Sequence, residues 1–182
     1  FFFKQKTAYE IVDCDWSSDV CSSDLPKETI LKASSTIETW IPNYIGLPYK
    51  HLGNDPKTGI DCFNLGRLVL NNELGAEIPY TTQDSGCDVA TNWYSKTETA
   101  NILFSRAERK WGWETIDRPE PFCMILFSIG ATNYPNHCGL YLGGNKFLQV
   151  TEGHNSWVSP YGNYYKQFTI RMCRWNKNLL NY

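Results

Sequence analysis

The sequence predicts an α+β fold, with helices in its first half and an antiparallel sheet in its second. Three observations predict it. Residues 27–44 and 62–74 place apolar side chains at helical spacing. Residues 136–142, 146–151 and 168–175 alternate in the period of a strand. Gly143-Gly144-Asn145 joins the first two of those segments as a hairpin. Helices gathered ahead of antiparallel strands make an α+β chain rather than one of alternating β and α units.

The first 25 residues are set aside. KQKTAYEI and DWSSDVCSSDL are what the two parts of a common sequencing adapter encode, and the short VDC between them sits where an index would. Residues 1–25 therefore read as an artefact, not a natural aromatic leader, and Pro26 is the first native residue expected. The full 182 residues carry a net charge of −2. Without the first 25, the basic and acidic side chains number 15 and 14, close to neutral. So even a balance gives no electrostatic argument for a nucleic-acid or membrane partner. No apolar run approaches the roughly 20 residues of a membrane span. The length suits one domain over 26–176, with 177–182 as a frayed polar tail.

The elements follow in order. In 27–44, Ile30, Leu31, Ile37, Trp40 and Ile41 form the apolar stripe of one helix, stopped by Gly46-Leu47-Pro48. HLGNDPKTG is a turn-rich loop. Cys62 opens the second helix, with Leu65, Leu68, Val69 and Leu70 inward and Gly75 as its C-terminal stop. Residues 86–109 are expected to be mainly helical. Pro119 and Pro121 precede a buried strand over 122–129. No internal repeat is visible.

Five cysteines remain after the artefact: Cys62, Cys87, Cys123, Cys138 and Cys173. An odd count without C-x-x-C spacing argues against a disulfide framework and against a structural zinc site. Four of them read as small apolar filler. Cys62 differs, because it sits where a Gly-Ile-Asp loop feeds a helix. Unpaired N–H groups and partial positive charge at a helix start favour thiolate over thiol. His137 opens the strand HCGLYL and shares a face with Gly139 and Tyr141, while Cys138, Leu140 and Leu142 face the core. A three-residue loop pairs Leu142 with Lys146 and sets Gln149 opposite Gly139. His137 and Gln149 then become diagonal neighbours at roughly 7–8 Å between Cα atoms. A two-residue loop would put them on opposite faces.

Together these motifs resemble a known family. YKHLGNDPKTGIDCFNLGRLV is similar to the pattern of NlpC-type cysteine peptidases, in which Pro-Tyr, a glycine-containing loop and Asp-Cys lead into a helix. PEPFCMILFSIG followed by HCGLYLGGNKFLQV resembles that family's strand pair, with histidine opening the first strand and a third polar residue following at Gln149. The resemblance spans residues 45–151. It implies a papain-like fold, Cys62 as nucleophile, His137 as base and Gln149 as orienter. It also implies Tyr49 beside the nucleophile as a substrate or oxyanion contact, and Asp61 as a shaper of the substrate pocket. Asp61 has a bland role besides, as cap of the Cys62 helix. Most members carry Ser-Gly after the cysteine. Here Phe63-Asn64 stands instead, an aromatic resembling the phage-tail branch and an asparagine expected to narrow the site. His51 reads as a loop residue, and His154 as a rival orienter for His137.

The resemblance implies covalent acyl transfer with no metal or organic cofactor. The substrate is the peptide stem of bacterial peptidoglycan, and the setting a phage tail or the bacterial envelope, with phage tail proteins as further partners. The alternatives are a tail-tip assembly subunit that keeps the fold, or a CHAP-type amidase.

Overall fold

The computed structural model describes residues 25–82, 111–130 and 135–180. The expected helical stretch 86–109, Cys87 and residues 1–24 lie outside them. Two short helices, α1 (Lys27–Ser35) and α2 (Ile37–Trp40), run into a 3-10 turn over Ile41–Tyr44. A minor hairpin, β1 (Asn54–Asp55) and β2 (Gly59–Ile60), precedes α3 (Cys62–Leu74). Then come β3 (Trp113–Ile116), β4 (Met124–Phe127), β5 (His137–Gly143), β6 (Lys146–Thr151) and β7 (His154–Pro160). A helical turn, α4 (Asn163–Lys166), leads to β8 (Thr169–Trp175), and a 3-10 turn covers Lys177–Leu179. The larger sheet has six antiparallel strands in the order β3-β8-β4-β5-β6-β7.

The single helix expected over 27–44 is instead broken at Thr36. The hydroxyls of Ser35 and Thr36 both donate to the Lys32 carbonyl, at 2.8 and 2.9 Å. Local bonds of this kind compete with helical continuation. The second helix follows its pattern closely. Asp61 caps it, and Gly75 closes it in the left-handed region at φ 64°, with Gly75 and Ala76 N–H groups returned to Asn71 and Leu70.

Both faces of the sheet are buried. Met124, Leu126, Cys138, Leu140, Leu148 and Val150 pack under α3 and the N-terminal helices. Ile125, Phe127, Tyr141 and Phe147 pack on the far face under Tyr161, Tyr165 and Phe168. Strands β3 and β7 were not anticipated from the pattern. Each is an edge strand, and β7 turns Ser156 and Ser159 inward instead of apolar side chains. Ser156 has work there. Its hydroxyl donates to Tyr44 O at 2.7 Å and accepts from Leu47 N at 2.8 Å, tying the turn before Tyr49 to the sheet edge.

The β5–β6 hairpin departs from the expected loop and keeps the expected register. Gly143, not Leu142, pairs with Lys146, so the turn is the two residues Gly144-Asn145, at φ 57° and 55°. Positive φ at both central positions is what a tight hairpin requires. A bulge between Tyr141 and Gly143 then absorbs one residue, so that Tyr141 pairs with Phe147 and Leu140 with Leu148. Beyond the bulge the pairing is the one that a three-residue loop would give.

Gly139 lets the Phe147 ring cross the strand. A Cβ there would overlap that ring and approach the Leu148 carbonyl to 3.0 Å. Gly139→Ala is therefore expected to destabilise the fold by roughly 1–3 kcal/mol through overpacking. Urea unfolding measures this, and an unchanged midpoint would count against the packing described.

Candidate active site

Cys62 is the first residue of α3, and three groups hold that end of the helix in place. Asp61 Oδ1 accepts from Asn64 N at 2.7 Å. The Asn64 amide donates to Gly53 O at 2.9 Å and reaches Asp61 Oδ2 at 3.2 Å and Thr82 Oγ1 at 2.7 Å. Thr82 Oγ1 in turn donates to Asp61 Oδ2 at 2.5 Å. All three side chains are 5% exposed or less. Asn64 Oδ1 is buried without a partner among the described residues, while the other polar groups of the node satisfy one another, and such networks rigidify their surroundings. This node fastens the 50–59 loop, the helix start and residue 82 to one point behind Cys62. Asn64 thus turns away from the cleft and does not narrow it, contrary to expectation.

Phe63 faces an aromatic cluster. Its ring stacks on Tyr80, at 6.0 Å and 11°, and meets Trp113 edge-on at 6.1 Å. It is 4% exposed. An aromatic at this position is thus an anchor for the helix start, and such pairs contribute about 0.5–1.5 kcal/mol beyond their burial.

His137 opens β5 and is fixed by two contacts. Its ring stacks on Phe127, at 5.7 Å and 22°. Its Nε2 lies 2.8 Å from Gln149 Oε1. Gln149 is 1% exposed, and its amide nitrogen donates to Ser159 Oγ at 2.6 Å and Tyr165 Oη at 2.9 Å. With the amide nitrogen so committed, the oxygen faces the imidazole and Nε2 carries the proton between them. Nδ1 is left as the basic nitrogen. The diagonal pair expected from the hairpin is therefore present, and the bulge is what puts it on one face. Ser159 and Tyr165, which hold Gln149, were not read from the sequence. Their strand and helical turn carry no apolar pattern to announce them.

His137 and Cys62 border the same cleft. The Cys62 thiol is held well below its ordinary range, first by a hydrogen bond from the Cys138 thiol. Burial opposes this, and the bond and charge of His137 assist it. Burial pushes the Asp61 carboxyl up to about 7, and negative charge on Cys62 adds to the rise.

These residues line one cleft of about 250 Å³, shared by Tyr49, His51, Asp61, Cys62, His137 and Glu152 among others. Tyr49 is bridged to Ile60, two residues before Cys62. His51, read as a loop residue, also borders the cleft. His154 does not. It is exposed, set against Trp157 at 5.6 Å, and takes no part in orienting His137. Among the described residues no group of three His, Cys, Asp or Glu side chains is placed to share a metal ion.

The Asp61 shift carries a sign. Its folded pKa, about 7, lies above the ordinary 3.8. The folded state keeps a proton that the unfolded chain releases, so this stabilisation is complete below about pH 4 and is lost as pH rises through 7. The unfolding free energy is expected to fall over that window by an amount on the order of a few kcal/mol. Asp61→Asn should flatten the slope, as read by urea unfolding at several pH values. An equally steep slope in that variant would exclude Asp61 as its source.

The profile of the NlpC/P60 family matches residues 46–174. The chain is 27% identical over 127 residues to the murein DD-endopeptidase MepH of Escherichia coli (strain K12), covering 70% of this chain and 40% of that protein. It is 24% identical over 119 residues to the gamma-DL-glutamyl hydrolase of Bacillus subtilis (strain 168), covering 64% of this chain and 23% of that one. The chain thus spans less than half the length of either relative. In fold it is similar to a Staphylococcus aureus protein described as similar to a lipoprotein of the NLP/P60 family. There the TM-score is 0.54 and the identity 21%, over 88% of this chain and 46% of the other.

Proposed function

This chain belongs to the NlpC/P60 family, and from that premise we propose that it is a cysteine peptidase cutting amide bonds in the peptide stem of bacterial peptidoglycan. The observation that carries the reading is that Cys62, at a helix start, shares one cleft with a His137 held by Gln149 from the neighbouring strand. The name of one relative, a murein endopeptidase, points to the same substrate class, and that of the other, a gamma-DL-glutamyl hydrolase, to the cleavage of glutamyl amide bonds.

The proposed reaction uses these groups in turn. The Cys62 sulfur, its proton taken by His137 Nδ1, attacks the amide carbonyl carbon. The Cys62 backbone N–H and Tyr49 stabilise the resulting oxyanion. His137 returns the proton to the leaving amine, the C–N bond breaks, and a thioester remains. Water, deprotonated by His137, then attacks the thioester and releases a carboxylate with the thiol restored. Gln149 keeps the imidazole in the required tautomer throughout. As a neutral acceptor it adds no titration of its own. Asp61 stays behind the nucleophile, and with Tyr49 it bounds the pocket.

The family match sets the CHAP-type alternative aside. Phe63 supports a finer placement, as a tail-associated hydrolase of a phage virion, with other tail proteins as partners. Antibody labelling of purified virions tests this; signal confined to the host envelope would rule it out.

Activity is tested on purified peptidoglycan with product analysis. Cys62→Ala should abolish release of stem fragments without altering the unfolding midpoint. His137→Ala should lower the rate by roughly 10²–10⁴-fold. Gln149→Ala should lose less, and mainly in kcat. Undiminished hydrolysis by the Cys62 variant would sink the proposal.

A further inference from the structure

Two cysteines meet in the cleft, and the hydrolytic scheme uses one of them. Cys138 follows His137 on β5 and belongs to the core face beneath α3. It is 2% exposed, packs in the same core cluster as Cys62, and is among the groups that lower the Cys62 thiol. Cys62 is only partly buried, and both line the same cleft. Small molecules entering that cleft therefore meet Cys62 first, with Cys138 directly behind it. The remaining described cysteines are placed differently. Cys123 sits in the far-face core, where burial pushes its thiol up to about 12. Cys173 is buried on β8.

We propose that Cys62 and Cys138 form a redox-modification site, which takes a hydroperoxide as substrate and stores the oxidation as a Cys62–Cys138 disulfide that reversibly blocks the cleft. The site rests on the same Cys62 thiolate as the hydrolase reading. Hydrogen peroxide is the simplest oxidant of this class. The Cys62 thiolate attacks one peroxide oxygen, and the O–O bond breaks. Sulfur is oxidised to the sulfenic acid, and the other oxygen leaves as water after taking a proton. The Cys138 sulfur then attacks the Cys62 sulfur as it gives up its own proton. The S–O bond breaks, the S–S bond forms, and a second water carries away that proton.

The chemistry of the pair favours this sequence. While Cys62 is a thiolate, its sulfur accepts the Cys138 proton and its charge keeps that proton in place, so the Cys138 thiol is held well above its ordinary range. Oxidation of Cys62 removes both the acceptor and the charge. Cys138 then becomes easier to deprotonate at the moment its sulfur is needed. A resolving thiol on the wall of the same cleft outruns a second peroxide, which would carry Cys62 on to the irreversible sulfinic acid. Reduction by an external dithiol restores both thiols.

The test uses the full chain, reduced, treated with hydrogen peroxide, blocked with iodoacetamide and mapped by mass spectrometry. The expected result is a peptide pair linked through Cys62 and Cys138, lighter by two hydrogens, with hydrolysis lost and then recovered in dithiothreitol. Cys138→Ala should give no link, carry sulfinic acid at Cys62 and recover roughly tenfold less activity after dithiothreitol. Sulfinic acid at Cys62 in the wild-type chain, with Cys138 still open to iodoacetamide, overturns the proposal. So does a link from Cys62 to Cys87. The link is read by mass, so it is scored even in a chain that hydrolyses nothing. A linked but inert chain removes the hydrolase reading and leaves the redox site standing.

Discussion

The hydrogen bond between His137 and Gln149 is the contact on which the arrangement of the cleft depends. It fixes which imidazole nitrogen carries the proton, and so which one keeps its lone pair. It exists only because two strands meet in one register. That register in turn depends on a bulge that offsets a short turn. Gln149 is itself held by Ser159 on β7 and by Tyr165 after it. Half of the sheet is therefore engaged in aiming one ring.

The other side of the cleft is organised by a different kind of contact. The helix start carrying Cys62 is held from behind by a buried polar node and from the side by an aromatic cluster. The two residues that depart from the family's usual pattern, Phe63 and Asn64, belong one to each. Phe63 also borders the cleft beside Cys62, which Asn64 does not line. Their effect is on how firmly the helix end is held, since Asn64 reaches a loop carbonyl that a glycine in its place has no side chain to reach. Asp61 shares in both cap and node, and it carries the strain of burial as a raised affinity for a proton.

Much of this was legible in the sequence, and the failures have physical reasons. Cys62 and His137 stood out because each opens an element whose apolar pattern is plain. Gln149 followed from strand alternation. The α3 helix was readable to its last turn because both caps are local. The long first helix was overread, since apolar spacing alone does not register three consecutive hydroxyl residues, Ser34, Ser35 and Thr36, two of which bond back to the chain. Strand β7 was missed because its inward residues are serines, chosen by polar partners far away in sequence. The destination of the Asn64 side chain was beyond reach for a similar reason. It depends on Gly53 and Thr82, which only the folded chain brings together.

The bulge beside Gly143 has a consequence for how this hairpin can vary in length. Side chains on a strand alternate, so the face that Gln149 shares with His137 is decided by whether the number of residues between them is counted with or without an extra one. One residue is already taken out of the count at the bulge. Loss of a single residue anywhere in 142–145 would either consume the bulge or reverse the parity of everything beyond the turn. Only the first outcome keeps the ring and its partner together. The bulge is thus a spare position, which lets the tip shorten once without separating them.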